Sequence, residues 1–215
     1  MPFCWAFKDK ETFADHGIGV LNFFRDNFSY IIPILARRAK LDEEVVRKSV
    51  ELGVALHDIG KISLSYSDSY YGHEFYSGYI IYKLLERCCN SSLNGIVSIA
   101  VMNHHQAMAG RTLREMTIHG EYKKLQDFRR KEECKEDVER VFKALNVNLK
   151  FEDIPKKIGR DNVKCWFMNL RVERVDLYVI ILGSLMVADT VVANKNRGGQ
   201  RRNLIIDEYS KWLSL

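Results

Sequence analysis

Proline is scarce in this sequence, with three in 215 residues, and glycine is limited to thirteen. So few chain breakers argue against a disordered chain or a turn-rich sandwich. The cysteines Cys4, Cys88, Cys89, Cys134 and Cys165 are odd in number and show no C-x-x-C spacing. With Cys88 and Cys89 adjacent, the pattern is unlike a disulfide framework, and a reduced, cytoplasmic compartment is the expectation. The opening residues Met1-Pro2-Phe3-Cys4-Trp5 lack the basic region and apolar core of a signal peptide. Long hydrophobic runs are missing as well. The most apolar one, Val179 to Ala188, is about half of what a bilayer span needs, so it is expected as a core helix, with no membrane partner.

What is present is enough apolar residue, 47%, to build a core over 1–215 as a single domain. A net charge of +5 permits a polyanionic partner without requiring one.

The periodicity is helical throughout, and no run alternates with period two, so the fold class is all-α. A first helix is expected over Thr12 to Asn27, with His16 near its start, and a short second one over Tyr30 to Lys40. Asp42 caps a third, in which Glu43 and Glu44 occupy the first turn and Val45, Val46, Val50, Val54 and Ala55 form the apolar face. Ser63 to Gly72 reads as a loop over the site, and Gly72-His73-Glu74 opens a helix carrying Tyr76, Ile80, Leu84 and Leu85. Leu93, Ile96, Val97, Ala100, Val101 and His104 then repeat at helical spacing, which places His104 on a buried stripe. Residues 121–160 are dense in mixed charge with a thin stripe of Val138, Val141, Phe142 and Leu145. They are expected to form a peripheral, solvated helical segment. A long apolar helix or helix pair over Val163 to Ala193 carries Asp189.

The chain is organised around Leu56-His57-Asp58-Ile59-Gly60-Lys61. An imidazole and a carboxylate follow each other at the end of an apolar helix, and a carboxylate, unlike an imidazole, can bridge two cations. Gly60 is expected to let the backbone turn tightly, and Lys61 to reach an anion. The plain alternative is a buried histidine bonded to aspartate, with Gly60 as a helix cap. Against that alternative, His16, His57, His73, His104 and His105 all lie at or near the ends of apolar helices, together with Asp58 and Asp189. Burying so many imidazoles without a ligand wastes their solvation, and histidine with carboxylate is a ligand set for first-row transition metals.

The order His16, His57-Asp58, His73, His104-His105, Asp189 resembles the HD superfamily of metal-dependent phosphohydrolases. Within it, the histidine after the HD pair followed by a tandem His-His is similar to the CRISPR-associated HD nucleases of type I systems. The resemblance spans most of the chain and implies an HD-domain helical bundle. It implies His16, His57, Asp58 and Asp189 around one metal, with Asp58 bridging to a second held by His73, His104 and His105. Catalysis would rest on Asp58 and Lys61, with Lys61 stabilising phosphate charge. Manganese, nickel, cobalt or iron is expected ahead of magnesium. The substrate implied is single-stranded DNA, with RNA as an alternative. No G-x-x-x-x-G-K-[ST] loop occurs, so a separate helicase and a guide-RNA surveillance complex are the implied partners.

Lys195, Arg197, Arg201 and Arg202 follow Asp189 closely and are expected at the cleft mouth as phosphate contacts, as is Arg111 beyond His105. Each has a solvated cation as its alternative reading. Tyr66, Tyr70 and Tyr71 are candidates for base stacking or simple packing. Asp15 and Glu74 are read as helix N-terminal acids or supports for the ligands, and His119 as a surface residue. Two other functions fit the sequence: an HD phosphohydrolase acting on a small nucleotide, and a non-catalytic scaffold.

Overall fold

The computed structural model describes residues 4–65, 72–105, 125–171 and 173–198. Eight α-helices account for most of them: α1 (Phe13–Phe28), α2 (Ile31–Ala39), α3 (Glu43–Ala55), α4 (His73–Cys88), α5 (Asn94–Met102), α6 (Lys135–Leu145), α7 (Arg160–Asn169) and α8 (Val175–Arg197). The all-α expectation holds. Two small antiparallel ribbons were not foreseen, β1 (Trp5–Phe7) with β2 (Glu11–Thr12) and β3 (Phe128–Arg129) with β4 (Lys157–Ile158). Strands of two or three residues are too short to leave an alternation in the sequence.

The helix starts follow the caps. The Thr12 hydroxyl accepts from the Asp15 N–H at 3.1 Å, and Asp42 Oδ1 accepts from Glu44 and Val45, satisfying donors that a helix leaves open at its start. Gly72 precedes α4 with φ of 81°, a left-handed conformation that glycine adopts without a Cβ penalty. The short helix α5 lies at the centre. It packs on α4, α8 and α3 through Ile96, Val97, Ala100 and Val101, all of them buried. Each such side chain contributes roughly 1.5–3 kcal/mol of burial. Helix α1 packs on α8, α3 and α6, so the first and last helices meet.

Three expectations are corrected. Cys4 and Cys134 are joined in a disulfide. A pair 130 residues apart in sequence leaves no local spacing signature, and the cysteine pattern no longer argues for a reducing compartment. The 121–160 segment, described from 125 onward, is not peripheral. Val138, Val141, Phe142 and Leu145 are buried as the stripe foretold, but Phe128, Phe151 and Ile154 join the same core. Arg130 is buried with them. Its guanidinium lies 3.9 Å from the centre of the Phe151 ring and donates to the Phe151 and Ile154 carbonyls, which is how a core holds a charge. Finally, the helix pair expected over Val163 to Ala193 is present as α7 and α8, but the apolar stretch is not too short for a membrane span, since α8 runs from Val175 to Arg197. At 23 residues it meets the length and composition of a membrane span. In this fold it packs on α1 and α5, turns Asp189 inward and leaves Val175 and Val179 exposed.

Candidate metal centre

Helix α3 ends at Ala55 with Leu56 as its cap, and His57 and Asp58 follow before a single 3-10 turn over Ile59–Ile62. His57 Nδ1 lies 2.8 Å from the Val54 carbonyl. A carbonyl only accepts, so Nδ1 carries the proton and Nε2 presents a lone pair to the interior. Gly60 is needed for closeness rather than for a turn. Its φ is not positive, and a Cβ there would stand 2.0 Å from the His73 carbonyl oxygen. The absent side chain lets the 3-10 turn press against the start of α4, and the Gly60 N–H donates to the Ser77 hydroxyl at 2.9 Å. Gly17 serves similarly in α1, since a Cβ would meet the Ala55 carbonyl at 2.4 Å. That contact brings the His16 turn against the end of α3.

These approaches gather the ligand atoms into overlapping groups: Asp58, His73, His104 and His105; His16, His57 and Asp58; His57, His104 and Asp189. On one side, His16 Nε2 lies 3.2 Å from His57 Nε2, 3.1 Å from Asp189 Oδ1 and 3.5 Å from Asp58 Oδ2. On the other, His73 Nε2 is 2.9 Å and His104 Nε2 3.5 Å from Asp58 Oδ1, while His105 Nε2 is 3.1 Å from His73 Nε2. The two oxygens of Asp58 thus face different halves of one cavity. All seven residues are buried.

The outward nitrogens of His16, His57 and His104 are held by acceptors, that of His73 lies beside a carboxylate, and that of His105 is buried with no hydrogen-bond partner among the described residues. His104 Nδ1 bonds the Val101 carbonyl, His73 Nδ1 is 3.3 Å from Glu74, and His16 Nδ1 is 3.0 Å from Glu11 Oε1. Such partners fix ring orientation and raise ligand basicity. They also leave an inner surface made of lone pairs and carboxylate oxygens. His104 Nε2 is buried with no hydrogen-bond partner among the described residues, and the His16 and His57 Nε2 atoms face each other. Acceptors opposed this closely repel unless a proton or a cation lies between them. The donor set therefore fits a metal, and the buried histidine–aspartate groups can hold one.

The protonation states agree. Burial raises the Asp58 and Asp189 carboxyls, but Lys61, His57, His104 and His73 overcome it at Asp58 and His16 and His57 at Asp189, and both are held well below the ordinary range. Burial drives His57 and His105 down, leaving neutral imidazoles. Burial opposes charge on His16 too, yet Asp189 and Glu11 lift it to about 9. Without a metal, a proton on His16 takes the cation's part.

Some sequence-predicted residues stand elsewhere. Lys61 is buried with its ammonium on Asp58 Oδ2, so it is engaged with the shared carboxylate rather than extended toward an anion. Asp15 pairs with Arg140 at 2.9 Å and supports no ligand, whereas Glu74 is buried beside His73. Arg197 is not a cation at the cleft mouth. Its Nε donates to Glu11 Oε2 at 2.9 Å, and its guanidinium lies 4.8 Å from the Phe7 ring centre. Lys195 is exposed on α8. Arg111, Arg201, Arg202, His119, Tyr66, Tyr70 and Tyr71 lie outside the described residues.

Glu11 is the residue that sequence reasoning missed. Buried on β2, it binds His16, Asn196 Nδ2 at 2.7 Å and Arg197 together. Burial opposes its charge, but His16, Asn196 and Arg197 pull its carboxyl down to about 2. Five residues before the histidine and outside any motif, it carries no local signal. No family model matches this chain, and no curated protein matches it.

Proposed function

We propose that this chain is a metal-dependent nuclease that hydrolyses phosphodiester bonds of single-stranded DNA, with RNA as a second candidate polymer. The observation that carries the reading is the position of Asp58, one oxygen toward His73 and His104 and the other toward His16 and His57. His16, His57, Asp58 and Asp189 would hold one cation and Asp58, His73, His104 and His105 a second. With five imidazoles among seven ligands, manganese, nickel, cobalt or iron suits the site better than magnesium. When bound, such cations supply Lewis acidity at a phosphoryl oxygen and a water of lowered pKa. The chain's own part is to fix the ligands from behind through Glu11, Val54 and Val101, with Glu74 beside His73, and to keep Asp58 ionised through Lys61. Lys195 on the exposed end of α8 is a phosphate contact in this reading.

By resemblance to the CRISPR-associated HD nucleases, a separate helicase and a guide-RNA surveillance complex would present the single strand. The manganese-loaded protein should degrade single-stranded DNA and spare blunt duplex. Equal cleavage of both, or of neither, would sink the proposal. The engagement of Arg197 by Glu11 favours a second reading, hydrolysis of a small nucleotide, because it removes one cation from the polymer track. Phosphate release across a nucleotide panel, with single strands left intact, would support that reading instead.

A further inference from the structure

At the far end of α4 from the metal centre stand two thiols that the proposed activity does not use. Cys88 closes the helix and Cys89 caps it, and their sulfurs are 2.6 Å apart. Both are partly exposed. The Cys89 and Asn90 N–H groups both donate to the Leu85 carbonyl, at 3.0 and 2.8 Å, which fixes the backbone that presents the pair. We propose that Cys88 and Cys89 are a redox-active vicinal dithiol whose substrate is a low-molecular-weight disulfide.

The sulfurs are within reach of each other, and because consecutive Cα atoms stand nearer than in an ordinary disulfide, a bond between them is strained and readily reduced again. Their environment divides the labour. Either thiol can donate across this contact; with Cys88 as the donor, and with Ser49 and Lys48 of α3 nearby, Cys89 is brought down to about 7 although burial opposes it. The same hydrogen bond and burial push Cys88 up. Cys89 is therefore the attacking thiolate, and Cys88 retains its proton until it is needed. The Cys89 thiolate, its proton already given to solvent, attacks one sulfur of the small disulfide, whose S–S bond breaks, and the first small thiolate leaves and takes up a proton from solvent. Cys88 then attacks the Cys89 sulfur, the mixed disulfide breaks, and the second small thiolate leaves with the Cys88 proton. The small disulfide is reduced to two thiols and the pair is oxidised to a Cys88–Cys89 disulfide.

Helix α4 has 16 residues from His73 to Cys88, so the dithiol lies about 24 Å along the helix from the metal side. The inference stands apart from the nuclease reading and does not depend on it.

The test uses the full-length protein, treated with mild reductant, desalted and exposed to oxidised glutathione. After Arg87 the next basic residue is Arg111, so trypsin releases a peptide whose only cysteines are Cys88 and Cys89. The wild type should lose the mass of two hydrogens from that peptide. Cys88→Ser should stop at a glutathione adduct on Cys89. Cys89 should react at pH 7 roughly tenfold faster than the exposed Cys165, which has no second thiol beside it. Cys89→Ser should slow reaction at Cys88 by at least the same factor. A wild-type peptide that accumulates only the adduct would overturn the inference. So would a Cys89 no faster than Cys165, or a Cys89→Ser variant that reacts as fast as the wild type.

Discussion

Glu11 Oε1 lies 3.0 Å from His16 Nδ1, and the same carboxylate receives Asn196 and Arg197 from the end of α8. One buried acid thus ties the histidine at the start of α1 to the helix that supplies Asp189. Glu11→Gln keeps the shape but loses the charge that fixes the His16 proton on Nδ1. Removing such a support costs about 10- to 100-fold in metal affinity. Competition against a coloured chelator should show that loss for the ion on the His16 side, with helical content unchanged. Affinity equal to the wild type would remove Glu11 from the site.

Asp58→Asn tests the shared carboxylate. Elemental analysis should find metal missing from both halves, while His105→Ala keeps the ion on the His16 side. Nuclease turnover should fall at least a thousandfold in Asp58→Asn. Lys61 loses its carboxylate partner, and breaking a buried pair costs about 3–5 kcal/mol, so melting should also come earlier. If Asp58→Asn empties only one half, the bridge is not there.

The metal-free protein should lose stability on the alkaline side. His16 titrates near 9 in the fold against an ordinary value of 6.5. The raised value means that the folded state binds the proton more tightly than the unfolded one. Its contribution is complete below pH 6.5 and lost as pH rises through 9, on the order of 3 kcal/mol in all. Urea unfolding of chelator-treated protein across that range should show the decline, and His16→Gln should flatten it. A wild-type profile as flat as the variant's would contradict the ionic reading of His16.

Gly60→Ala should be far worse than an ordinary glycine substitution. The added methyl would stand 2.0 Å from the His73 carbonyl oxygen and 3.1 Å from the Ser77 nitrogen, both backbone atoms. Relief requires the 3-10 turn to part from α4, which separates Asp58 from His73. Calorimetry should show a loss above roughly 3 kcal/mol, with metal binding weakened in parallel. A stable, fully loaded variant would mean that the two segments are not in contact.

The candidate ligands were legible because all but Asp189, which lies inside α8, sit at or near a helix end that the sequence marks. Asp42 announces α3 and so places His57 and Asp58 at its close, and Gly72 announces α4 and so places His73 at its opening. What supports the ligands was not legible. Glu11 acts across a ribbon only two residues wide at β2, and Arg197 looks like any solvated cation until Glu11 is beside it. The charged segment misled because the apolar stripe of α6 is narrow and its exposed face is dense in charge, while Phe128, Phe151 and Ile154 lie in short pieces without a period. Cys4 and Cys134 are brought together by α1 and α6 packing, and that packing leaves no spacing to read.

The meeting of the first and last described helices has a consequence for how the protein is made. His16 leaves the ribosome well before Asp189, so the cavity cannot be finished until α8 has been translated. Fragments that stop short of α8 would carry six of the seven ligands and still lack the carboxylate that completes the His16 side. A fragment lacking α8 therefore cannot hold this candidate centre whole.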